Sequence, residues 1–483
     1  MIVNKIDDLR KYLKPKKHNF YILVANYLIY LALLVGRGWG AHRMLNYEER
    51  IAVGSALSQS LFLSLNDWSY GLLVPRILIS LAVKFPLEYL PVVLVFIATL
   101  LWAFYSLIIF WAVYRVTGRY VVAMCASLVL ILVPLPGLGM QGVVWNSFWP
   151  MFIALTVLVA VCNYGGSKIA TIALAIFAFL TAASNPISAV LLVLVGFDYC
   201  RNHKERNKIL VVGVGLFMGL LLSLFIQIRQ EPPMRYLGEW TQEMAQTSQI
   251  FGWIEESGAN RIRSAPPIDI ITTIRSFPGS LKYLLTQMSP EPLASEWILS
   301  EAFSNNLFHM LILSSIFFGL PLCGLLQIKR RKLDFHAPKV VVRFSLIIVV
   351  TFVLQIILVG GVAQTNQLLF VPVCCYWIAI TFLIPKSLNK RLGLQSLIAV
   401  GTLALILVFS VLVKQNFRDP FDIKLPQVGG GRYEENPLWQ IALKNAREKC
   451  KTMSPDDLII VTQKKDLWMD ASVVVRCKFI AET

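Results

Sequence analysis

Apolar runs of membrane-crossing length recur along this chain. Phe20 to Gly36, Leu87 to Tyr114, Ile209 to Ile228 and Leu392 to Val413 each come close to the roughly 20 residues that cross a bilayer core. One soluble core cannot bury them all. Charged residues make up 15% of the chain, against about 25% in a soluble protein, so the missing charge is replaced by apolar surface that must face something other than water. The expected fold class is an all-α polytopic membrane protein of about eleven transmembrane helices, with a small extracytoplasmic α/β tail.

Charge placement sets the expected topology. The formal net charge is +17, and the basic residues gather in short segments between apolar runs. Lys5, Arg10, Lys11, Lys14, Lys16 and Lys17 precede the first run, which places the N-terminus in the cytoplasm by the positive-inside rule. Arg115/Arg119, Arg201/Lys204/Arg206/Lys208, Lys329 to Lys332 and Lys386/Lys390/Arg391 should share that side. They do so only if the apolar stretch Leu72 to Phe85, about fourteen residues, does not span. The spans then fall near 20–36, 88–114, 119–133, 147–163, 168–184, 186–200, 209–228, 307–328, 344–362, 367–385 and 393–413. The chain divides into a basic cytoplasmic segment 1–19, a transmembrane domain 20–413 and an extracytoplasmic domain 414–483. Large outer loops cover 37–86, with two amphipathic helices, and 229–306. The first run lacks a small-x-small cleavage site and reads as a permanent helix. The lipid bilayer is the expected partner. Nucleic acid is not, since no soluble segment carries a basic face interleaved with aromatics.

In the tail, Asn436-Pro437 reads as a helix start leading through Lys449. Leu458 to Thr462 and Ser472 to Ile480 read as strands. Cys450 and Cys477 face an oxidising compartment in this topology, so a disulfide is expected, closing a loop of roughly 26 residues and contributing about 3 kcal/mol. The other six cysteines read as small apolar packing residues. With no Cys-x-x-Cys and no His-Glu-x-x-His, no metal site is expected. Gly429-Gly430-Gly431 lacks the Lys-Ser/Thr of a phosphate loop.

Candidate chemistry concentrates in the first outer loop. Asn46-Tyr47-Glu48-Glu49-Arg50, Asn66-Asp67-Trp68 and Val74-Pro75-Arg76 set carboxylates and an arginine beside an interfacial helix. A carboxylate can take a proton from a hydroxyl, and an arginine can hold a phosphate with two hydrogen bonds. The plain alternatives are a solvated helix face for Glu48 and Glu49 and a snorkelling anchor for Arg76. Trp145 and Trp149 fit an interfacial aromatic belt as well as a sugar platform. Arg261 and Arg263 of the second outer loop suit a carrier phosphate, or are loop charge balanced by Glu255, Glu256 and Asp269. Asp456-Asp457 follows Ser454-Pro455 and reads as a turn. Asp198 is expected to pair with Arg201. Scarce charge within the runs argues against an ion-coupled transporter.

The acidic pair after the first helix, Tyr70-Gly71-Leu72-Leu73-Val74-Pro75-Arg76, Trp145-Asn146-Ser147-Phe148-Trp149 and the Ala183-Ser184-Asn185-Pro186 turn resemble the GT-C superfamily of membrane glycosyltransferases. More closely, they resemble a group of bacterial polytopic GT-C-like proteins. A tail with Trp439, Cys450, Trp468 and Cys477 is similar to that group too. The resemblance covers most of the chain in layout, through short motifs. It implies a bacterial inner-membrane enzyme that moves a sugar from a polyprenyl-phosphate-linked donor to a glycan or lipid acceptor outside the cytoplasm. Glu48 or Glu49 would be the catalytic base, where the family more often has Asp-Glu. Arg76 matches the family's Pro-Arg stretch, and Asn146 and Trp149 match its outer turn; by charge and placement Arg76, with Arg261 and Arg263, would bind the donor phosphate, and Asp67, Asn146 and Trp149 the substrate. No organic cofactor is implied, and a divalent metal is left open. The alternatives are a non-catalytic or flippase-like component of surface-polysaccharide assembly and a solute transporter.

Overall fold

The computed structural model describes residues 17–38, 47–58, 72–132, 143–162, 164, 167–229, 337–359, 366–382, 439–462 and 472–481. The expected spans 307–328 and 393–413, and nearly all of loop 229–306, lie outside these residues. The described chain is mostly helical. Helices α1 (Lys17–Gly38), α2 (Tyr47–Ser58), α3 (Leu73–Ala82), α4 (Leu90–Thr117) and α5 (Tyr120–Leu132) come first. Then follow α6 (Phe148–Cys162), α7 (Lys168–Ser184), α8 (Ala189–Arg201), α9 (Arg206–Arg229), α10 (Ala337–Val359) and α11 (Asn366–Thr381). The tail adds α12 (Trp439–Cys450), β1 (Leu458–Thr462), β2 (Ser472–Arg476) and α13 (Cys477–Ala481).

Two helical stretches, Leu87–Thr117 and His203–Ile226, are long and apolar enough to cross a membrane. The stretch Leu72 to Phe85 forms α3, whose 10 residues extend only about 15 Å at 1.5 Å per residue. It is half the thickness of a bilayer core, as its short sequence run requires.

α4 is central. It packs against α1, α3, α5 and α6 and buries Leu94, Ala98, Trp102, Ile109, Phe110 and Val113. It ends at Gly118, whose φ of 64° is left-handed and whose N–H bonds the Tyr114 carbonyl at 2.8 Å. A side chain there is strained, so Gly118→Ala should cost about 1 kcal/mol, read as a lowered unfolding midpoint. An unchanged midpoint would mean that the cap has no energetic weight. α1 is tied to α5 by the Tyr120 hydroxyl donating to Asn26 Oδ1 at 2.9 Å, and by a hydrogen bond between the Tyr30 and Ser127 hydroxyls at 2.6 Å.

α7 and α9 approach closely. A Cβ at Gly215 would lie 2.4 Å from the Ala175 carbonyl oxygen, and one at Gly219 would lie 2.3 Å from that of Phe179. Residue number rises along both helices together across this contact, so α7 and α9 run parallel and α8 returns between them. Small residues four apart let backbones meet in this way. α9 leaves Leu210, Val214, Phe217, Leu221 and Leu224 exposed, an apolar stripe along one face.

In the tail, α12 buries Trp439, Ala442, Leu443 and Ala446, the i, i+3, i+4, i+7 stripe of an amphipathic helix. The antiparallel strands pair from Leu458 with Arg476 to Thr462 with Ser472. Ile459, Val461, Val473 and Val475 fill the inner face at the strand period of two. The second strand stops at Arg476, where a strand through Ile480 was expected. Residues 477–481 are helical because the Cys477 and Lys478 N–H groups bond the Asp457 and Pro455 carbonyls, which turns the chain out of the ladder. Cys450 and Cys477 form the expected disulfide. Reducing it should cost the tail about 3 kcal/mol and speed protease cleavage between residues 450 and 477; identical cleavage with and without reductant would refute this. The tail also docks on the start of α4. Trp439 Nε1 donates to the Leu87 carbonyl at 2.5 Å, Arg447 pairs with Glu88, and β2 lies against α2.

Candidate functional site

The helices α2 and α3 and two interhelical turns converge. α2 presents Glu49, which is 3% exposed. Its Oε1 accepts the Val144 N–H at 2.6 Å, so the carboxylate holds the turn that leads into α6. That turn is the 3-10 segment Trp145–Ser147. α3 packs against α2, α4, α7 and this turn. It carries Arg76, also 3% exposed, whose guanidinium carbon lies 6.0 Å from the Trp145 ring centroid, within cation–π range. The Val74 N–H, a free helix-start donor, bonds Ser184 Oγ at the end of α7 at 3.0 Å. Beyond it Asn185 is extended, at φ −151° and ψ 107°, as a residue before proline must be. Its Oδ1 accepts the Ile187 N–H.

The structure therefore brings Glu49, Arg76 and the Trp145–Trp149 segment together from helices nearly a hundred residues apart. Asn146 and Trp149 are both buried, and Phe148 and Trp149 are in ring contact at 4.7 Å. Among the described residues, Ser147 Oγ, Trp149 Nε1, Asn185 Nδ2 and Ser188 Oγ are buried without a hydrogen-bond partner. Each such group costs about 1–3 kcal/mol unless water or a ligand satisfies it. Arg76 is buried with its guanidinium near the Trp145 ring, and a guanidinium can bind an anion through paired N–H donors. Glu48 lies on α2, but its side chain is outside the described residues, as are Asp67, Arg261 and Arg263. Among the described residues, no cluster of three His, Cys, Asp or Glu could hold a metal ion.

Two acidic positions resolve differently. Asp456-Asp457 forms the expected turn: Asp457 Oδ2 accepts the Ser454 N–H at 2.7 Å, and the Asp457 N–H returns to the Ser454 carbonyl. Lys478, hydrogen-bonded to Asp456 at 2.8 Å, holds that carboxyl below its ordinary range. Asp198, expected to pair with Arg201, instead bonds Arg343 of α10 at 2.9 Å. Arg201 lies exposed over the Phe197 ring. The Tyr164 hydroxyl donates to Asp198 Oδ2 at 2.7 Å, and Arg343 also donates to the Ala160 carbonyl at 2.8 Å. The sequence signal for this network was Arg343 itself, a charge at the edge of the expected span 344–362.

Among the described residues the structure is mostly helical, with two helical stretches long and apolar enough to cross a membrane and a disulfide-tied tail against α2 and the start of α4. No protein-family model matches the chain, and no curated protein matches it.

Proposed function

We propose that this chain is a polytopic inner-membrane glycosyltransferase of GT-C-like architecture, working on the outer face. The exposed apolar stripe of α9 supports a membrane setting, since soluble surfaces rarely carry apolar patches of that extent. The parallel run of α7 and α9, with the shorter α8 bringing the chain back, fits two passages in the same direction. Tyr164, Asp198 and Arg343 join the ends of α6, α8 and α10 that lie beside basic segments, which fits the cytoplasmic side.

The observation that carries the catalytic reading is the meeting of Glu49, Arg76 and the Trp145–Trp149 segment. In the proposed reaction an acceptor hydroxyl gives its proton to the first-loop carboxylate and its oxygen bonds the anomeric carbon. The bond from that carbon to the phosphate oxygen breaks, and polyprenyl phosphate leaves. Inversion follows from attack opposite the leaving group. Arg76, with Arg261 and Arg263, stabilises the phosphate charge, and Asp67, Asn146 and Trp149 orient the sugar.

The burial of Glu49 and its bond to Val144 favour a second reading. In it the chain is a non-catalytic component of surface-polysaccharide assembly, and Glu49 is a structural clamp. Glycan analysis of cells with wild type, a deletion, Glu48→Gln and Glu49→Gln, each checked for membrane level, separates the two. Under the enzymatic reading a surface sugar disappears in the deletion, and one Gln variant at normal level loses it by about 100-fold or more. A sugar lost in the deletion but kept in both Gln variants selects the non-catalytic reading, and an unchanged profile in all strains rejects both.

A further inference from the structure

We infer that the C-terminal tail is a clamp that sets the candidate site, with Trp439, Arg447 and Glu88 as its positioning residues. The inference rests on the glycosyltransferase reading for its functional half. The tail grips the first loop at two places. Trp439, 2% exposed, anchors α12 on the Leu87 carbonyl at the start of α4. Two turns further along α12, Arg447 pairs with Glu88 and also donates through Nε to the Ile480 carbonyl of α13 at 3.2 Å. One guanidinium thus joins the tail's last helix to the membrane-side turn. The second grip is β2 against α2, the helix that carries Glu49.

The chain of contacts is continuous. The disulfide fixes α12 to the start of α13, directly after β2. β2 supports α2, and Glu49 of α2 holds the Val144 N–H. The turn after Val144 carries Trp145, which faces Arg76. Neither Trp439 nor Arg447 belongs to the catalytic set, and both act through the placement of α2. Displacing the tail frees α2 on one side and loosens the carboxylate from its turn. Positioned groups of this kind lose function when their supporting shell shifts by about 1 Å.

Charge exchange tests it in the full-length protein in its native membrane. Glu88→Arg, Arg447→Glu and the double exchange are compared with wild type, a deletion and Glu49→Gln. Surface glycan is measured per unit of membrane-inserted protein, and tail cleavage by protease added outside spheroplasts is followed in parallel. Each single exchange should lower product roughly fivefold and speed tail cleavage, with the double exchange recovering most of both, the signature of a direct coupling. Trp439→Phe, which keeps an aromatic ring but removes the N–H donor and part of the packing, should shift both readouts in the same direction. If the deletion and Glu49→Gln abolish product while the single exchanges leave product and cleavage at wild-type levels, the clamp is overturned and the enzyme reading stands. If the deletion leaves the glycan unchanged, the enzyme reading fails and takes the positioning role with it.

Discussion

Asp198→Ala and Arg343→Ala should each lower stability by about 3–5 kcal/mol, among the largest losses any single substitution produces here. Arg343 is 9% exposed and Asp198 4%. Removing either leaves its partner charged and enclosed, which costs more than the lost attraction. The network has further members. Tyr164 donates to Asp198, Arg343 donates to Ala160, and Thr171 Oγ1 donates to the Tyr164 carbonyl at 3.1 Å. Tyr164 itself sits at a φ of 66°, a left-handed conformation that costs a bulky residue roughly 1–2 kcal/mol. Its buried ring and its bond to Asp198 offset that strain. The double variant Asp198→Asn/Arg343→Gln removes both charges and should be milder than the sum of the single losses. Unfolding midpoints of the purified protein in detergent give the answer. Single variants with wild-type midpoints would show that the pair is solvated and unimportant.

The second large effect concerns the meeting of α7 and α9. A Cβ at Gly219 would stand 2.3 Å from the Phe179 oxygen, 2.8 Å from Ala182 Cβ and 3.0 Å from the Ala183 nitrogen. Two of these neighbours are backbone and cannot turn aside. Gly219→Val must push the helices apart, at about 3 kcal/mol or more, the upper range for overpacking. Gly219→Ala should already be harmful. Gly196→Ala in α8 is the control, because nothing lies within 4 Å of its added Cβ. Monodispersity on size-exclusion chromatography and the unfolding midpoint should fall for Gly219→Val and hold for Gly196→Ala. Equal behaviour of the two would mean that the close approach does not exist.

Several features needed only the sequence. Apolar runs announced helices over most of 20–38, 87–117, 168–184 and 206–229, because a long run without polar interruption has one low-energy backbone solution in an apolar setting. The shortness of Leu72 to Phe85 predicted a helix too short to span, and α3 is one. Cys450 and Cys477 were paired as the two cysteines of a tail expected to face an oxidising compartment. A short turn around Asn185 was expected between two spans, and proline's steric effect on its predecessor accounts for the break found there. Apart from the disulfide, each of these follows from the local run of the sequence.

What the tertiary structure decided are the contacts between distant segments. Asp198 had a near arginine at 201 and an enclosed one at 343; only packing shows that the second lies within reach. Glu49 was legible as a candidate acid, but its bond to a backbone amide 95 residues away was not, nor its meeting with Arg76 and Trp145. The glycines of α9 were visible at their four-residue spacing, yet their partner helix depended on which faces met. The change from strand to helix at Cys477 followed hydrogen bonds to Pro455 and Asp457, not local propensity. Hydrophobic length and local sterics act along the chain and can be read there. Polar pairing and close backbone approach depend on which segments packing brings together, and that is settled only when the chain has folded.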